Sequence, residues 1–387
     1  MSIPGAAGAP QRLDFLDGLR GWAALVVVFS HLWGQFARHV VPFYGTAPMR
    51  VLSDGHLAVV VFFVLSGVAL SLQFVRTSRP APVVPAIAAR YVRLVVPIAG
   101  TTLIVWALLA LGLSGNVEAS RLGQSAIFRG VRLSMDSTFL DAVAFSLWDV
   151  LFRYADWRTF NWSLWTMPIE FAGSVMIYAL LAAFARARRL GRPARVALAA
   201  VLGAGLLLAD KPLAACFAAG YIIAEWIVHP AESARAARWP GLAALAACAA
   251  STAFVVATDR DDDASGALLA TCIVLVAAFW APARRALGAP VSRWLGRVSF
   301  PLYLIHEPVI ACSGFAFVAL VERGMGLELA THATVVVATL ACLACGRLLM
   351  PLERASITLS RKVAKWRIVL PGHRPRMGEK GADARPT

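Results

Sequence analysis

A histidine inside an apolar segment is the residue whose position most clearly calls for chemistry. His31 lies near the end of LDGLRGWAALVVVFSHLW (residues 16–33), eleven residues after Arg20. In an α-helix this separation is about three turns, so the two side chains share one face about 16 Å apart along the axis. Burying an ionisable group in lipid is costly, which marks it as a functional candidate. The pattern favours acid–base chemistry by His31, with a hydrogen-bonded packing histidine as the alternative.

Arginines stand at the entrances of two apolar segments. Arg20 follows Asp17, which can pair with it or cap the helix. Arg90 and Arg93, in ARYVRLVVP, are three residues apart on one helical face, which suits bidentate contacts to a phosphate group. For Arg20 the alternative is a boundary arginine whose side chain reaches the membrane interface. For Arg90 and Arg93 the alternative is a signal that sets the membrane topology.

A carboxylate in a later apolar segment requires a partner. Glu170 follows Pro168 in WSLWTMPIEF, and the partner is either His31 or an arginine. Beside His31 it would orient the imidazole, as the third member of a catalytic group does. Beside an arginine it would form a structural ion pair between helices.

Other polar residues are candidates for lining a site. Tyr303 and His306, in SFPLYLIHEPV, share a face through their i,i+3 spacing, and packing and catalysis are both open for them. Ser66 precedes Gly67 in the second apolar segment, where close helix packing is the plain interpretation and site lining the second. Trp165, in WSLWTMPIEF, is a further lining candidate.

The composition requires that membrane helices position these residues. The chain has 387 residues, 59% hydrophobic and 15% charged, whereas soluble domains have about 25% charged residues. Little strand-like alternation is present, which favours helices over a barrel. A span needs about 20 apolar residues. We therefore predict an all-α integral membrane bundle of about ten transmembrane helices, near residues 20–42, 56–75, 92–113, 163–185, 194–209, 212–229, 241–258, 265–281, 297–320 and 331–351.

The loop charges predict an orientation. Arginines cluster in alternate loops, as at 186–195 and 284–293, whereas acidic residues cluster at 259–263. This pattern follows the positive-inside rule with both termini cytoplasmic, as expected for a multi-pass protein of the inner (plasma) membrane. The predicted division is a cytoplasmic arm (1–18), a transmembrane domain (19–352) with a long extracytoplasmic loop (114–162), and a basic cytoplasmic tail (353–387).

Charge and cysteine content bear on partners and cofactors. The net charge of +15 is explained by cationic loops facing anionic lipid, so the expected partner is the bilayer and not nucleic acid. The six cysteines lie within or beside apolar runs, and the C-x-x-C spacing of Cys342 and Cys345 has no second pair or histidine near it in sequence. Helix packing is therefore expected for them, with no metal site and no permanently bound cofactor.

Taken together and in order, these clusters resemble the acyltransferase 3 family of multi-span membrane acyltransferases. That family includes bacterial enzymes that O-acylate surface polysaccharides and peptidoglycan. The resemblance covers roughly residues 12 to 350, and the arginine–ten residues–histidine spacing and the paired arginines are its most specific parts. It rests on LDFLDGLRGWAALVVVFSH, VVVFFVLSGVALS, ARYVRLVVP, LWTMPIEF and SFPLYLIHEPV.

The resemblance implies transfer of an acetyl or other short acyl group from acyl-CoA, as co-substrate, to a hydroxyl of a carbohydrate, glycolipid or small metabolite. Phosphates of acyl-CoA would lie near Arg90 and Arg93, together with Arg20. His31 would act as general base or carry the acyl group transiently, and Glu170 would orient or charge-balance a cationic partner. The Phe-Tyr pair that commonly follows the glutamate in the family is absent here.

Two other functions compete with this one. A proton-coupled transporter would use His31 and Glu170 as a relay. No inverted repeats or matched broken helices, which would support a transporter, are evident in the sequence. A catalytically inactive membrane scaffold would have an incomplete set of polar residues, whereas the set here is complete.

Overall fold

The computed structural model describes residues 13–113, 115–129, 137–187, 189–229 and 262–365. Within these ranges every regular element is helical, which confirms the all-α prediction. The ten longest helices there are α1 (Asp14–Phe29), α2 (Gly55–Thr77), α3 (Val83–Ala110), α4 (Thr166–Arg186), α5 (Arg192–Leu208), α6 (Pro212–Val228), α7 (Asp263–Phe279), α8 (Pro290–Glu322), α9 (Leu327–Leu348) and α10 (Met350–Ala364). The shorter helices are Ser30–Phe36, Ala37–His39, Pro42–Gly45, Ala47–Leu52, Val117–Leu122, Ala126–Arg129, Phe139–Ala144, Phe145–Asp149, Val150–Phe152, Trp162–Trp165 and Ala281–Leu287.

Six helical segments among the described residues are long and apolar enough to cross a membrane, so the predicted number of about ten is not confirmed. Helix α7 and Ala281–Leu287 form a seventh candidate, bent by 89°. Helix α6 is apolar but shorter, and the predicted span at 241–258 lies outside the described residues. The six segments are Asp14–His39, Ala47–Thr77, Val83–Ala110, Trp162–Arg186, Pro290–Glu322 and Leu327–Ala364.

The first long helix changes its hydrogen-bonding pattern next to His31. Helix α1 ends at Phe29 and continues as the π-helix Ser30–Phe36, whose second residue is His31. The π-helix is rare and occurs frequently at functional sites. Because the chain is α-helical up to Phe29, the three-turn separation between Arg20 and His31 is largely preserved.

Glycines bring the long helices into direct backbone contact. A Cβ atom at Gly21 of α1 would lie 2.3 Å from the amide nitrogen of Gly296 in α8, and one at Gly296 would lie 2.3 Å from the carbonyl oxygen of Asp17. In the same way a Cβ atom at Gly67 of α2 would lie 2.4 Å from the carbonyl oxygen of Phe217 in α6. Small residues at helix crossings allow this approach, as expected for Gly67.

Helix α10 is attached to α3 at the point where a proline interrupts the hydrogen bonds of α3. Pro97 has no N–H, so the carbonyl of Arg93, four residues earlier, lacks its helical partner. The Ser356 hydroxyl of α10 donates to that carbonyl at 3.0 Å. Residues 353–364, predicted as the start of a tail, are therefore packed against the bundle, whereas 366–387 lie outside the described residues.

The predicted loop at 114–162 carries several short helices in its described part. Val117–Leu122 and Ala126–Arg129 pack on α8, and Phe139–Ala144 packs on α3. Its end, Trp162–Trp165, leads directly into α4. Pro168 stands in the first turn of α4, where its missing N–H removes no helical hydrogen bond.

We predict that Gly296→Ala destabilises the protein by about 1–3 kcal/mol, because the new methyl group overlaps the α1 backbone. The control is Gly205→Ala in α5, where an added Cβ meets nothing within 4 Å. That control should be neutral or stabilising by up to about 1 kcal/mol, since alanine favours a helix over glycine. Thermal unfolding of both variants in detergent measures the difference, and equal melting temperatures would contradict the close α1–α8 contact.

Candidate functional site

A cavity of about 510 Å³ collects arginines from four helices. We call it the arginine cavity. It lies between α1, α2, α3, α4, α8 and α10, and the three arginines predicted from the sequence to contact a phosphate all line it. Its polar lining residues are Asp17, Arg20, Ser66, Arg90, Arg93, Thr166, Glu170, Arg297, Ser299, Tyr303, Glu353 and Arg354.

Two of the predicted arginines are already paired with carboxylates of the protein. Arg90 forms an ion pair with Glu170, and its Nε donates to the Ser174 hydroxyl at 2.9 Å. Arg93 forms an ion pair with Glu353. Glu170 therefore takes the arginine partner, one of the two alternatives left open by the sequence, and it does not line the cavity that contains His31.

Arg20 and Asp17 interact as their spacing predicts. Arg20 Nη1 lies 3.5 Å from Asp17 Oδ1, within the first two turns of α1. Both residues line the arginine cavity. Ser66 lines it as well.

Two exposed arginines at this cavity were not identified from the sequence. Arg297 of α8 and Arg354 of α10 line it, and neither has a carboxylate partner among the described residues. Both lie near apolar segment ends, where arginines are common as topology signals. No spacing in the sequence distinguishes them from the other boundary arginines, because their convergence depends on how α8 and α10 pack.

A second cavity, of about 420 Å³, contains His31. We call it the histidine cavity. The Nδ1 atom of His31 is buried and has no hydrogen-bond partner among the described residues. Trp165 lines this cavity. The polar and aromatic lining residues are Ser30, His31, Gln35, His56, Asp156, Trp162, Ser163, Trp165, Tyr303 and Glu307.

Tyr303 lines both cavities and stands at the wall between them. Its hydroxyl is 2.8 Å from the Thr166 hydroxyl and donates to the Ser163 carbonyl. Val59 of α2 also lines both cavities. The tyrosine is therefore held at the shared wall by the segment that begins α4.

His306 packs beside His31 and has a defined tautomer. The two ring centroids are 5.0 Å apart. His306 Nδ1 lies 2.7 Å from the Tyr303 carbonyl, which can only accept, so Nδ1 carries the hydrogen. In the neutral ring Nε2 then accepts from the Ser163 hydroxyl at 3.3 Å. Both nitrogens of His306 are thus used, which gives it a structural role beside the cavity.

Glu307 is one of two carboxylates, with Asp156, that line the histidine cavity. Its Oε2 accepts from the Ser163 N–H at 3.1 Å, whereas its Oε1 is buried with no hydrogen-bond partner among the described residues. The sequence signal for Glu307 is its position directly after His306 in an apolar helix. The sequence left open whether Glu170 accompanies His31 or an arginine, because spacing does not reveal which way two helices face.

His56, which lines the histidine cavity, contacts a carboxylate and an aromatic ring. His56 Nε2 lies 2.7 Å from Asp263 Oδ1, which joins α2 to α7. The Trp165 ring is parallel to the His56 ring within 2°, with centroids 6.4 Å apart. Among the described residues no group of three or more histidine, cysteine, aspartate or glutamate side chains is arranged to hold a metal ion.

Comparisons with known proteins agree with this helical architecture and polar set. The model of an acyltransferase domain family, acyltransferase 3, matches residues 13–350. The chain belongs to this family. It is also 24% identical, over 80% of its own length and 75% of the relative, to O-acetyltransferase PaAT-1 of Phomopsis amygdali. No solved structure matches. The chain is therefore an O-acyltransferase and a multi-pass membrane protein.

We predict that Glu170→Gln destabilises the protein by about 3–5 kcal/mol, because it leaves the largely buried guanidinium of Arg90 without its counterion. The double variant Arg90→Gln/Glu170→Gln should lose clearly less than the two single variants together. The matched control is Glu118→Gln, which removes an exposed i,i+3 pair with Arg121 and should cost about 0–1 kcal/mol. Additive losses in thermal unfolding would contradict the direct pairing.

Proposed function

We propose that the protein transfers an acetyl or other short acyl group from acyl-CoA to a hydroxyl of a carbohydrate, glycolipid or small metabolite. The observation that carries this proposal is the pair of cavities that share Tyr303 and Val59, with arginines in one and His31 in the other. The two substrates of an acyl transfer differ in charge, since acyl-CoA carries phosphates and the acceptor is a neutral hydroxyl compound. Each cavity suits one of them.

The arginine cavity is the proposed donor site. It has five arginines and three carboxylates, so it keeps a formal excess of two positive charges. Arg297 and Arg354 are exposed at its rim and are free to contact phosphates through bidentate hydrogen bonds. Arg20, Arg90 and Arg93 add to the attractive field deeper in the cavity. Since acyl-CoA is cytoplasmic, we propose that the arginine cavity faces the cytoplasmic side of the inner (plasma) membrane. The arm at 1–18 and the tail at 353–387 are proposed to lie on the same side.

The histidine cavity is the proposed acceptor site, open to the other side of the membrane domain (19–352) and to its loop at 114–162. Trp162 and Trp165 offer aromatic faces, and His56 and Asp156 offer hydrogen bonds. Polar groups placed beside aromatic faces are typical of sites that orient a small ligand. The relative named above is an O-acetyltransferase, which supports acetyl as the transferred group.

The proposed reaction uses His31 as general base. Its unprotonated ring nitrogen accepts the proton of the acceptor hydroxyl while the hydroxyl oxygen attacks the thioester carbonyl. The tetrahedral intermediate then collapses, the C–S bond breaks, and the sulfur leaves with a proton from the imidazolium. The thioester reaches His31 past Tyr303, where the two cavities meet. Direct transfer of this kind needs no acyl-histidine intermediate.

A proton relay between His31 and Glu170, as a transporter would require, finds less support. The two residues line different cavities, and Glu170 is bound to Arg90. The two groups of a relay must pass a proton between them. The ion pair with Arg90 holds the Glu170 carboxylate in the arginine cavity, apart from His31.

We predict that His31→Ala lowers the transfer of labelled acetyl from acetyl-CoA to a hydroxyl acceptor by about 10²- to 10⁴-fold, because the general base is lost. The dissociation constant for acetyl-CoA should stay unchanged, since His31 does not line the arginine cavity. The control is His332→Ala, which changes an exposed histidine bonded to Tyr44 outside both cavities. Full label transfer by His31→Ala would remove His31 from the mechanism.

We predict that Arg297→Gln/Arg354→Gln raises the dissociation constant for acetyl-CoA about 10- to 100-fold, because charged hydrogen bonds to phosphate are lost. The control variant, Arg285→Gln/Arg361→Gln, removes the same charge from exposed arginines that do not line the cavity. Titration calorimetry at low and high salt separates local contacts from general charge. Equal affinities of the two double variants would contradict the donor assignment at the rim.

A further inference from the structure

His31 and Glu307 each have one buried polar atom without a hydrogen-bond partner among the described residues, and both residues line the histidine cavity. The atoms are His31 Nδ1 and Glu307 Oε1. A buried polar atom that stays unsatisfied costs about 1–3 kcal/mol, and more when it is charged. Two such atoms of complementary type that line one cavity therefore have a reason to be joined.

The position of Glu307 is fixed independently of His31. Its Oε2 accepts the Ser163 N–H, and Glu307 follows His306, whose ring packs 5.0 Å from that of His31. His31 therefore faces the part of α8 that carries the carboxylate. The unsatisfied oxygen of Glu307 is the one that Ser163 leaves free.

The other titratable groups around Glu307 are unsuited as its partner. His306 donates through Nδ1 to the Tyr303 carbonyl and accepts at Nε2 from Ser163, so it has no hydrogen left to donate. The Tyr303 hydroxyl is used by Ser163 and Thr166, and the Tyr154 hydroxyl donates to the Trp162 carbonyl. Burial raises the pKa of Tyr154, so that it stays neutral. Of the two remaining titratable lining residues, His56 pairs with Asp263, and Asp156 is an acid.

We infer that Glu307 is a positioning residue for His31, accepting a hydrogen bond from His31 Nδ1–H directly or through one water. This inference rests on the proposed function of His31 as general base. The bond fixes the tautomer in which Nε2 is unprotonated and faces the acceptor hydroxyl. When Nε2 takes the hydroxyl proton, the carboxylate stabilises the imidazolium and keeps its own charge. The proton then leaves with the sulfur, and Glu307 ends the cycle unchanged.

The test is steady-state kinetics of Glu307→Gln with labelled acetyl-CoA over a range of pH. The amide keeps the size of the side chain and an oxygen for the Ser163 N–H, but it loses the charge. We expect kcat to fall about 10²- to 10⁴-fold, with KM for acetyl-CoA unchanged because Glu307 does not line the arginine cavity. The acidic limb of the pH profile of kcat/KM should move by about one pH unit or more toward lower pH, since the imidazolium is no longer stabilised.

Two further variants separate positioning from a structural role. Glu307→Asp keeps the charge and should recover part of kcat together with the original acidic limb, and it replaces Glu307→Gln as the test if the amide variant does not fold. Glu225→Gln makes the same change at a fully buried carboxylate outside both cavities. In its folded fraction kcat and the pH profile should match those of the unmodified protein.

The outcomes distinguish this inference from the function on which it rests. A Glu307→Gln variant with unchanged kcat and pH profile, beside an inactive His31→Ala variant, overturns the role of Glu307 and leaves the general base in place. An active His31→Ala variant overturns the proposed function itself. A loss of kcat in Glu307→Gln without a shift of the acidic limb, not recovered by Glu307→Asp, would make the effect structural and also overturn the inference.

Discussion

The arrangement of both cavities depends on one hydrogen bond to a carbonyl that a proline leaves without a partner. Pro308 lies within α8 and has no N–H, so the Leu304 carbonyl, four residues earlier, cannot be satisfied within the helix. The Asn161 side-chain amide donates to it at 2.8 Å. In an apolar bundle an unpaired carbonyl is costly, and this bond therefore ties the Trp162–Trp165 segment to α8. The contacts of Ser163 and Thr166 with Tyr303, His306 and Glu307 all follow from that attachment.

The arginine cavity is completed in the same way at a second proline. Pro97 frees the Arg93 carbonyl, and Ser356 of α10 satisfies it. Glu353 then reaches the Arg93 guanidinium and Arg354 reaches the cavity rim. Hydropathy alone assigns α10 to a tail, but the helix forms a wall of the proposed donor site. The reason is that Pro97 leaves the Arg93 carbonyl in need of a hydrogen-bond donor, which a polar side chain of α10 supplies.

Sequence patterns predicted the parts of this site that depend on local geometry. The spacing of Arg20 and His31 predicted that they share one helical face at different depths. Arg90 and Arg93 line the arginine cavity, Trp165 lines the histidine cavity, and Tyr303 lines both. The pattern did not predict which carboxylate accompanies His31. Periodicity gives the faces of each helix but not the rotation of one helix against another, which here depends on the glycine contacts between α1 and α8. The π-helix that contains His31 escaped prediction for a related reason, because hydropathy does not report the hydrogen-bonding pattern of a helix.

The pairing of Arg90 and Arg93 with carboxylates also protects the chemistry at His31. A guanidinium about 16 Å from His31, the separation expected for Arg20, disfavours an imidazolium by about 1 kcal/mol at an effective dielectric constant of about 20. Three carboxylates in the same cavity reduce its formal excess of positive charge to two, which still attracts phosphates. Glu170 thus acts on His31 through the electrostatic field of the arginine cavity and not through contact. The local counterion of the His31 imidazolium has to come from the histidine cavity itself.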